Sequence, residues 1–128
     1  MDIITKKKLN ILIQLAEADK HFARAEREMI QKIASDRKFP EEEVNKLIRN
    51  PEPIDTLGAL SNDQKFDYLQ DCIDLIFADQ KVFESEVIFT KSIAIKLGFK
   101  KNVVDFLIEN TGKKPVDELK NAVFAQYW

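Results

Sequence analysis

The sequence predicts an all-α protein, a compact bundle of seven to eight helices built from two pseudo-symmetric helix-turn-helix repeats plus a C-terminal helix. Three observations favour this fold class. Apolar residues recur with the period of amphipathic helices, and no segment alternates apolar and polar residues as a strand does. Only three Gly and four Pro interrupt 128 residues, of which 45% are hydrophobic and 33% charged. Finally, residues 13–50 align without a gap on residues 73–110.

The aligned segments define an internal repeat with an offset of sixty residues. The identical pairs are Ile13/Ile73, Leu15/Leu75, Ala18/Ala78, Asp19/Asp79, Glu26/Glu86, Ile33/Ile93, Ala34/Ala94, Phe39/Phe99, Val44/Val104, Leu47/Leu107, Ile48/Ile108 and Asn50/Asn110. Most of these pairs are apolar and indicate a shared core. We therefore expect a single domain over residues 1–128, with repeats at about 3–50 and 62–110 and a C-terminal helix at about 115–127.

The first repeat predicts three helices. Apolar residues fall nearly all round the wheel over residues 3–19, which indicates a central helix, and residues 22–37 form a second, amphipathic one. Pro40 suits the first turn of a third helix that runs to about residue 48. Residues 50–53 form the linker between repeats, and residues 54–60 are a candidate for one added helical turn.

The second repeat predicts three more helices in the same order. Ser61 or Asn62 caps the first of them, which repeats the burial of the first helix of the chain. Residues 83–97 form the next helix, and Gly98 is placed to end it in the left-handed conformation. A helix over residues 101–108 follows, and residues 115–128 form a last amphipathic helix that has no counterpart in the first repeat.

Five polar positions of the first repeat are apolar in the second. The replacements are Arg27/Val87, Glu28/Ile88, Ser35/Ile95, Glu43/Val103 and Lys46/Phe106. Ile88 and Ile95 lie nearly opposite the predicted core face of their helix, so another surface has to cover them. The final helix offers four side chains that we expect to pack near Ile88, Ile95 or Phe106, namely Val116, Leu119, Val123 and Tyr127. The competing interpretation is a self-association surface.

The repeated carboxylates allow two interpretations. Asp19 and Glu26 flank one predicted turn between helices, as Asp79 and Glu86 flank the other. In the first interpretation each pair caps the helix that follows. With Ala23 as N-cap, Glu26 is the third helical residue and can accept a hydrogen bond from the N-cap N–H. In the second, all four carboxylates converge as ligands of a divalent cation, calcium or magnesium, which prefer several oxygen ligands.

Composition excludes several function classes. Basic and acidic residues are interspersed, and the run of three lysines at residues 6–8, interpreted as the solvated start of a helix, is too short for a nucleic-acid surface. One histidine, His21, and one cysteine, Cys72, argue against zinc, and Cys72 in an apolar run is expected to be a buried thiol. No nucleophile motif, glycine-rich phosphate loop or cofactor fingerprint indicates an enzyme.

No apolar run approaches the length of a membrane span, and no signal-peptide pattern precedes the first helix. We therefore expect a cytoplasmic protein that does not span a membrane. It is expected to be a monomer or a homodimer, and a protein is its expected partner.

The doubled Ala-Asp and Glu signature resembles the TerB family of tellurite-resistance-associated proteins and related TerB-like domains, over about residues 9–110. The resemblance implies an all-helical fold, a role in a cytoplasmic stress response, and an acidic centre that binds a metal or a partner. By the same resemblance that centre comprises Asp19, Glu26, Asp79 and Glu86. One feature departs from the family pattern, because Lys20 and Gln80 stand where family members usually have Gly after the Asp.

Overall fold

The computed structural model describes residues 2–18, 22–54, 57–78 and 82–128 of the chain. Seven α-helices form in these residues: α1 (Ile3–Ala16), α2 (Arg24–Asp36), α3 (Glu41–Arg49), α4 (Asn62–Phe77), α5 (Glu84–Leu97), α6 (Val103–Asn110) and α7 (Val116–Gln126). The described part of the chain contains no strand, and its one β-type contact is an isolated bridge between Thr111 and Lys114. The all-α fold class is confirmed.

Local sequence signals set the ends of several helices. Ser61 Oγ accepts a hydrogen bond from the Gln64 N–H at 3.1 Å, and the Gln64 side chain accepts one from the Ser61 N–H at 2.9 Å, so a capping box starts α4. Gly98 ends α5 with φ 100, as predicted. The added helical turn expected over residues 54–60 does not form in the described part of that segment, where Leu57 to Leu60 make a non-helical turn.

The core lies around α1 and α4, which contact each other. The helices α2 and α3 pack on α1, α5 packs on both central helices, and α6 packs on α4. Both central helices are buried on most sides. The α1 residues Leu9, Leu12, Ile13, Leu15 and Ala16 are fully buried, and so are Leu69, Cys72, Ile73, Leu75 and Ile76 of α4. This burial confirms the prediction that the first helix of each repeat is apolar nearly all round because it is central.

The connection between α3 and α4 is fastened to α1. The Asn10 side-chain amide donates to the Glu52 carbonyl at 2.9 Å and accepts from the Glu52 N–H at 2.9 Å. The Gln14 amide donates to the same carbonyl at 2.6 Å. Side chains of α1 thus satisfy backbone groups of the linker that no helix could satisfy.

Cys72 is buried, as predicted, and its burial raises the pKa of the thiol, which keeps it protonated. None of the helices that the structure describes has both the length and the apolar character needed to cross a bilayer.

Candidate functional site

Glu26 and Glu86 occupy the same position at the start of α2 and α5. The Glu26 carboxylate accepts a hydrogen bond from the Ala23 N–H at 3.0 Å, and that of Glu86 accepts one from the Phe83 N–H at 3.4 Å. Ala23 and Phe83 are the N-caps, and neither side chain has an acceptor oxygen, so only the glutamate half of a capping box forms. The capping role predicted for the two glutamates is confirmed.

Burial distinguishes these glutamates from ordinary capping residues. Glu26 and Glu86 are both 0% exposed, whereas a carboxylate at a helix start is commonly in contact with water. Each side chain takes part in an interaction beyond the N-cap hydrogen bond. Two buried acidic groups therefore lie at equivalent places, at the starts of α2 and α5.

Asp19 and Asp79 lie outside the described residues, as does His21. The predicted convergence of four carboxylates on one cation therefore stays a prediction. In the described ranges no three His, Cys, Asp or Glu side chains are grouped closely enough to hold a metal ion.

The face of α5 that is apolar where α2 is polar is exposed to solvent. Ile88 is 60% and Ile95 58% exposed to solvent, and Val116 of α7 is 58% exposed. The expectation that the final helix covers Ile88 and Ile95 is therefore wrong, and Val116 does not pack as expected. The self-association interpretation of this surface stays a prediction.

The C-terminal segment packs instead on Phe99 and Phe106. Tyr127 lies on Phe106 with ring centroids 5.1 Å apart, which confirms the part of the expectation that named Phe106. The Phe99 ring lies 5.4 Å from Phe124 and 5.0 Å from Trp128. Leu119 and Val123 are 1% and 0% exposed. Aromatic contacts at Phe99, just after α5, therefore determine where the C-terminal segment lies.

A buried ion cluster joins α1 to α4, and sequence analysis missed it. Lys8, expected to be solvated, has a side chain that is only 2% exposed. Its ammonium pairs with the carboxylates of Asp67 and Asp71, the latter at 2.7 Å, and lies 5.7 Å from the centroid of the Tyr68 ring. Arg37, just beyond α2, lies 3.6 Å from Asp67. A buried lysine is tolerated here because two carboxylates and an aromatic face replace its water.

The surroundings perturb the acid groups of this cluster. Burial raises the pKa of Asp71, and the Lys8 ammonium opposes that rise. Burial and the neighbouring Asp2 and Asp67 raise the pKa of Tyr68, so its hydroxyl stays protonated and donates to the Ile4 carbonyl. The cluster ties α1 to α4.

A cleft opens between α2 and α3. Its floor is formed by Ala34, Phe39 and Val44, all buried, and its volume is about 400 Å³. Lys38 lies on the rim with φ 57, in the left-handed region that a residue with a side chain rarely adopts. A concave surface with an apolar floor and a polar rim is the usual form of a binding site for a small group or a side chain.

Two signals in the sequence point to features that were missed. Lys8 stands four and seven residues before Leu12 and Leu15, on the stripe that α1 buries. Asp67 and Asp71 are spaced to share one face of α4.

Comparisons with protein-family models, with curated proteins and with solved structures find no match for this chain.

Proposed function

We propose that this protein is a non-enzymatic helical interaction module of the TerB-like type, acting in a cytoplasmic stress-response assembly. One observation carries the proposal: the apolar face that α5 presents to solvent. Ile88 and Ile95 replace Glu28 and Ser35 of the first repeat and are 60% and 58% exposed. Replacing surface polar residues by exposed isoleucines is costly for solubility unless a partner covers them.

The chemistry of this face indicates what it binds. Lys96 is exposed next to Ile95, whereas Lys91, between the two isoleucines, already pairs with Asp105 at 3.2 Å. A complementary protein surface would therefore offer apolar side chains to the isoleucines and a carboxylate to Lys96. Self-association, in which this face packs on its counterpart in a second copy, is the competing form.

The test exchanges the α5 face for its counterpart in the first repeat. The double variant Ile88→Glu and Ile95→Ser is purified under native conditions beside the wild type and the control Val116→Glu, which alters an equally exposed apolar residue of α7. A protein that accompanies the wild type and the control but not the double variant supports the proposal. Equal recovery with all three proteins contradicts it, and sedimentation velocity shows whether the partner is a second copy.

A divalent-cation site at Asp19, Glu26, Asp79 and Glu86 is the second candidate function, in which the protein senses or holds a metal. The observation that favours it is the complete burial of both Glu26 and Glu86 at equivalent positions, because carboxylates are the oxygen ligands that calcium and magnesium prefer. Calcium or magnesium should raise the melting temperature by mass action, and the double variant Asp19→Asn and Asp79→Asn should abolish that shift. If millimolar calcium, magnesium and manganese all leave the wild-type melting curve unmoved, the metal hypothesis is wrong.

A further inference from the structure

Two corners of the fold are built alike in the two halves of the chain. One is the connection from α2 to α3, over residues 36–43, and the other is the connection from α5 to α6, over residues 96–103. In each corner the N–H of a phenylalanine donates to the carbonyl of an alanine five residues earlier, at 2.8 Å for Phe39 and 2.9 Å for Phe99. The residue before each phenylalanine has a positive φ. Equivalent positions of the two corners are therefore presented from similar backbones.

The two corners carry opposite charge. The first includes four acidic and two basic side chains, whereas the second includes three basic side chains and no acidic one. We name them the acidic corner and the basic corner. The sign is reversed at two equivalent pairs of positions, Asp36/Lys96 and Glu41/Lys101. All four of these residues are exposed, as is Lys100 of the basic corner.

Most of this charge is not neutralised in the part of the chain that the structure describes. The five exposed residues just named take part in none of the ion pairs formed there, and no ion pair joins one corner to the other. Within the acidic corner, Arg37 pairs with Asp67 at 3.6 Å and Glu43 pairs with Lys46 at 3.3 Å, which leaves three carboxylates and one lysine. Each corner thus offers charge of one sign to another molecule.

We propose that the acidic corner of one copy of this chain docks on the basic corner of a second copy. The two carboxylates at the reversed positions, Asp36 and Glu41, then lie opposite the lysines of the basic corner. When the contact forms twice about a twofold axis, the two copies close into a dimer. The inference goes beyond the proposed function, and it shares only Lys96 with the α5 face proposed to bind a different protein.

The matched spacing of the charges argues for a second copy as the occupant. The first turn after each corner is closed alike, since the Glu43 and Val103 N–H groups both donate at 3.0 Å to the carbonyl three residues earlier. Two carboxylates and two lysines at equivalent positions are therefore held at similar separations. Both pairs of opposite charges can then form in one contact.

A lipid surface or a nucleic acid fits the basic corner less well. Both are uniformly negative and need a larger cluster of cationic side chains than three lysines. Asp105, which is 61% exposed and pairs with Lys91 at 3.2 Å, also adds negative charge two residues beyond the basic corner. A second copy instead presents a few discrete carboxylates.

The test converts each corner into the other. A basic variant, Asp36→Lys with Glu41→Lys, has two basic corners, and an acidic variant, Lys96→Asp with Lys101→Glu, has two acidic ones. Sedimentation velocity on the wild type at low salt should show association that grows with protein concentration. Raising the salt from about 20 to about 200 mM should weaken it roughly tenfold or more, because the paired charges are exposed. Each variant alone should be monomeric, and an equimolar mixture of the two should associate again.

Matched controls change the net charge by the same amount at exposed residues outside both corners. They are Lys113→Glu with Lys114→Glu, and Asp117→Lys with Glu118→Lys. Both controls should associate as the wild type does. Loss of association in the controls would show that overall charge rather than the two corners governs the contact, and would contradict the inference.

Three further outcomes would overturn the inference. The first is a wild type that stays monomeric at low salt and millimolar protein, whether or not it binds phosphatidylserine vesicles or DNA. The second is a mixture of the two variants that does not associate. The third is loss of association in the Ile88→Glu and Ile95→Ser variant, which would move the contact between copies to the α5 face. The proposed function is decided separately, by the partner protein that this last variant loses, so the two proposals fail independently.

Discussion

In the two halves of the bundle, α2 and α5 begin and end alike but present different surfaces. Each starts with a fully buried glutamate at the third helical position, Glu26 or Glu86. After each helix, the N–H of a phenylalanine donates to the carbonyl of an alanine in that helix. Their outer faces differ, since α2 exposes Glu28 and Ser35 where α5 exposes two isoleucines.

This difference separates residues that build the fold from residues that face outward. Among the described residues, the shared positions start a helix, end it or fill the core, whereas Ile88 and Ile95 lie on the surface and Phe106 lies under Tyr127. The second half also carries the C-terminal segment on Phe99 and Phe106. One helical framework therefore carries different outer surfaces in its two halves.

The largest effect is expected from removing the C-terminal segment that packs on the second half. Ending the chain after Gly112 exposes the partners of Leu119 and Val123, which are 1% and 0% exposed. Each large buried side chain contributes about 1.5–3 kcal/mol, so the free energy of unfolding should fall by at least about 3 kcal/mol. Urea denaturation followed by circular dichroism measures it. Unchanged stability would show that the second half does not depend on its cover.

The ion cluster is a further asymmetry, because Lys8 of α1 corresponds to Tyr68 of α4 at the offset of sixty residues. Lys8→Ala should lower the free energy of unfolding by about 1–3 kcal/mol, since it leaves two partly buried carboxylates without their cation. Lys7→Ala, at the exposed neighbouring position, should change it by no more than about 0.5 kcal/mol. Equal effects of the two substitutions in urea denaturation would mean that Lys8 is not locked between α1 and α4.

The two helix ends provide a smaller, reciprocal test. Lys38 and Gly98 occupy equivalent positions with φ 57 and 100. Relieving the left-handed strain with Lys38→Gly should raise the free energy of unfolding by up to about 1 kcal/mol, and Gly98→Ala should lower it by about 1–2 kcal/mol. Thermal melting of the three proteins measures both changes. A destabilised Lys38→Gly variant would indicate that the Lys38 side chain contributes contacts that outweigh the strain.

The smallest effect concerns Asp71, which corresponds to the apolar Ile11 of α1. Burial raises its pKa in the folded protein, so this carboxyl favours the folded state below its unfolded-state pKa and loses that contribution as the pH rises through the folded value. Asp71→Asn removes the contribution. The free energy of unfolding of the variant relative to wild type should therefore increase between about pH 3 and 7.

The control for this pH dependence is Asp36→Asn, at an exposed residue of α2. Denaturation curves of the three proteins across the pH range provide the comparison. A relative stability of Asp71→Asn that falls with rising pH would show that pairing with Lys8 outweighs burial.

Periodicity and end signals predicted most of the fold. The observed helices begin and end within three residues of the predicted limits, because Pro40, Ser61 and Gly98 act through local backbone geometry. The N-cap position of Ala23 and the hydrogen bond from its N–H to Glu26 were predicted for the same reason. Such features depend on residues that are close in the sequence.

The features that were missed depend on contacts between distant segments. Lys8 and Asp67 are separated by 59 residues, and nothing near Lys8 in the sequence indicates that two carboxylates meet it. Similarly, the sequence offers two apolar surfaces on which the C-terminal segment could pack. The segment packs beside Phe99, where three aromatic rings meet, and leaves Ile88 and Ile95 exposed. Helical periodicity identifies an apolar face but does not determine which of several faces it contacts.

The hydrogen bonds between Asn10 and Glu52 have a consequence for motions of the native protein. The linker has a proline on each side of Glu52 and would ordinarily open and close rapidly at the surface. Here, however, the Glu52 N–H and carbonyl are both bound to α1 side chains. Exchange of that amide hydrogen with solvent requires the linker to detach from a central helix. The junction between the repeats is thereby coupled to the slow opening of the core, so the two halves should unfold together rather than one at a time.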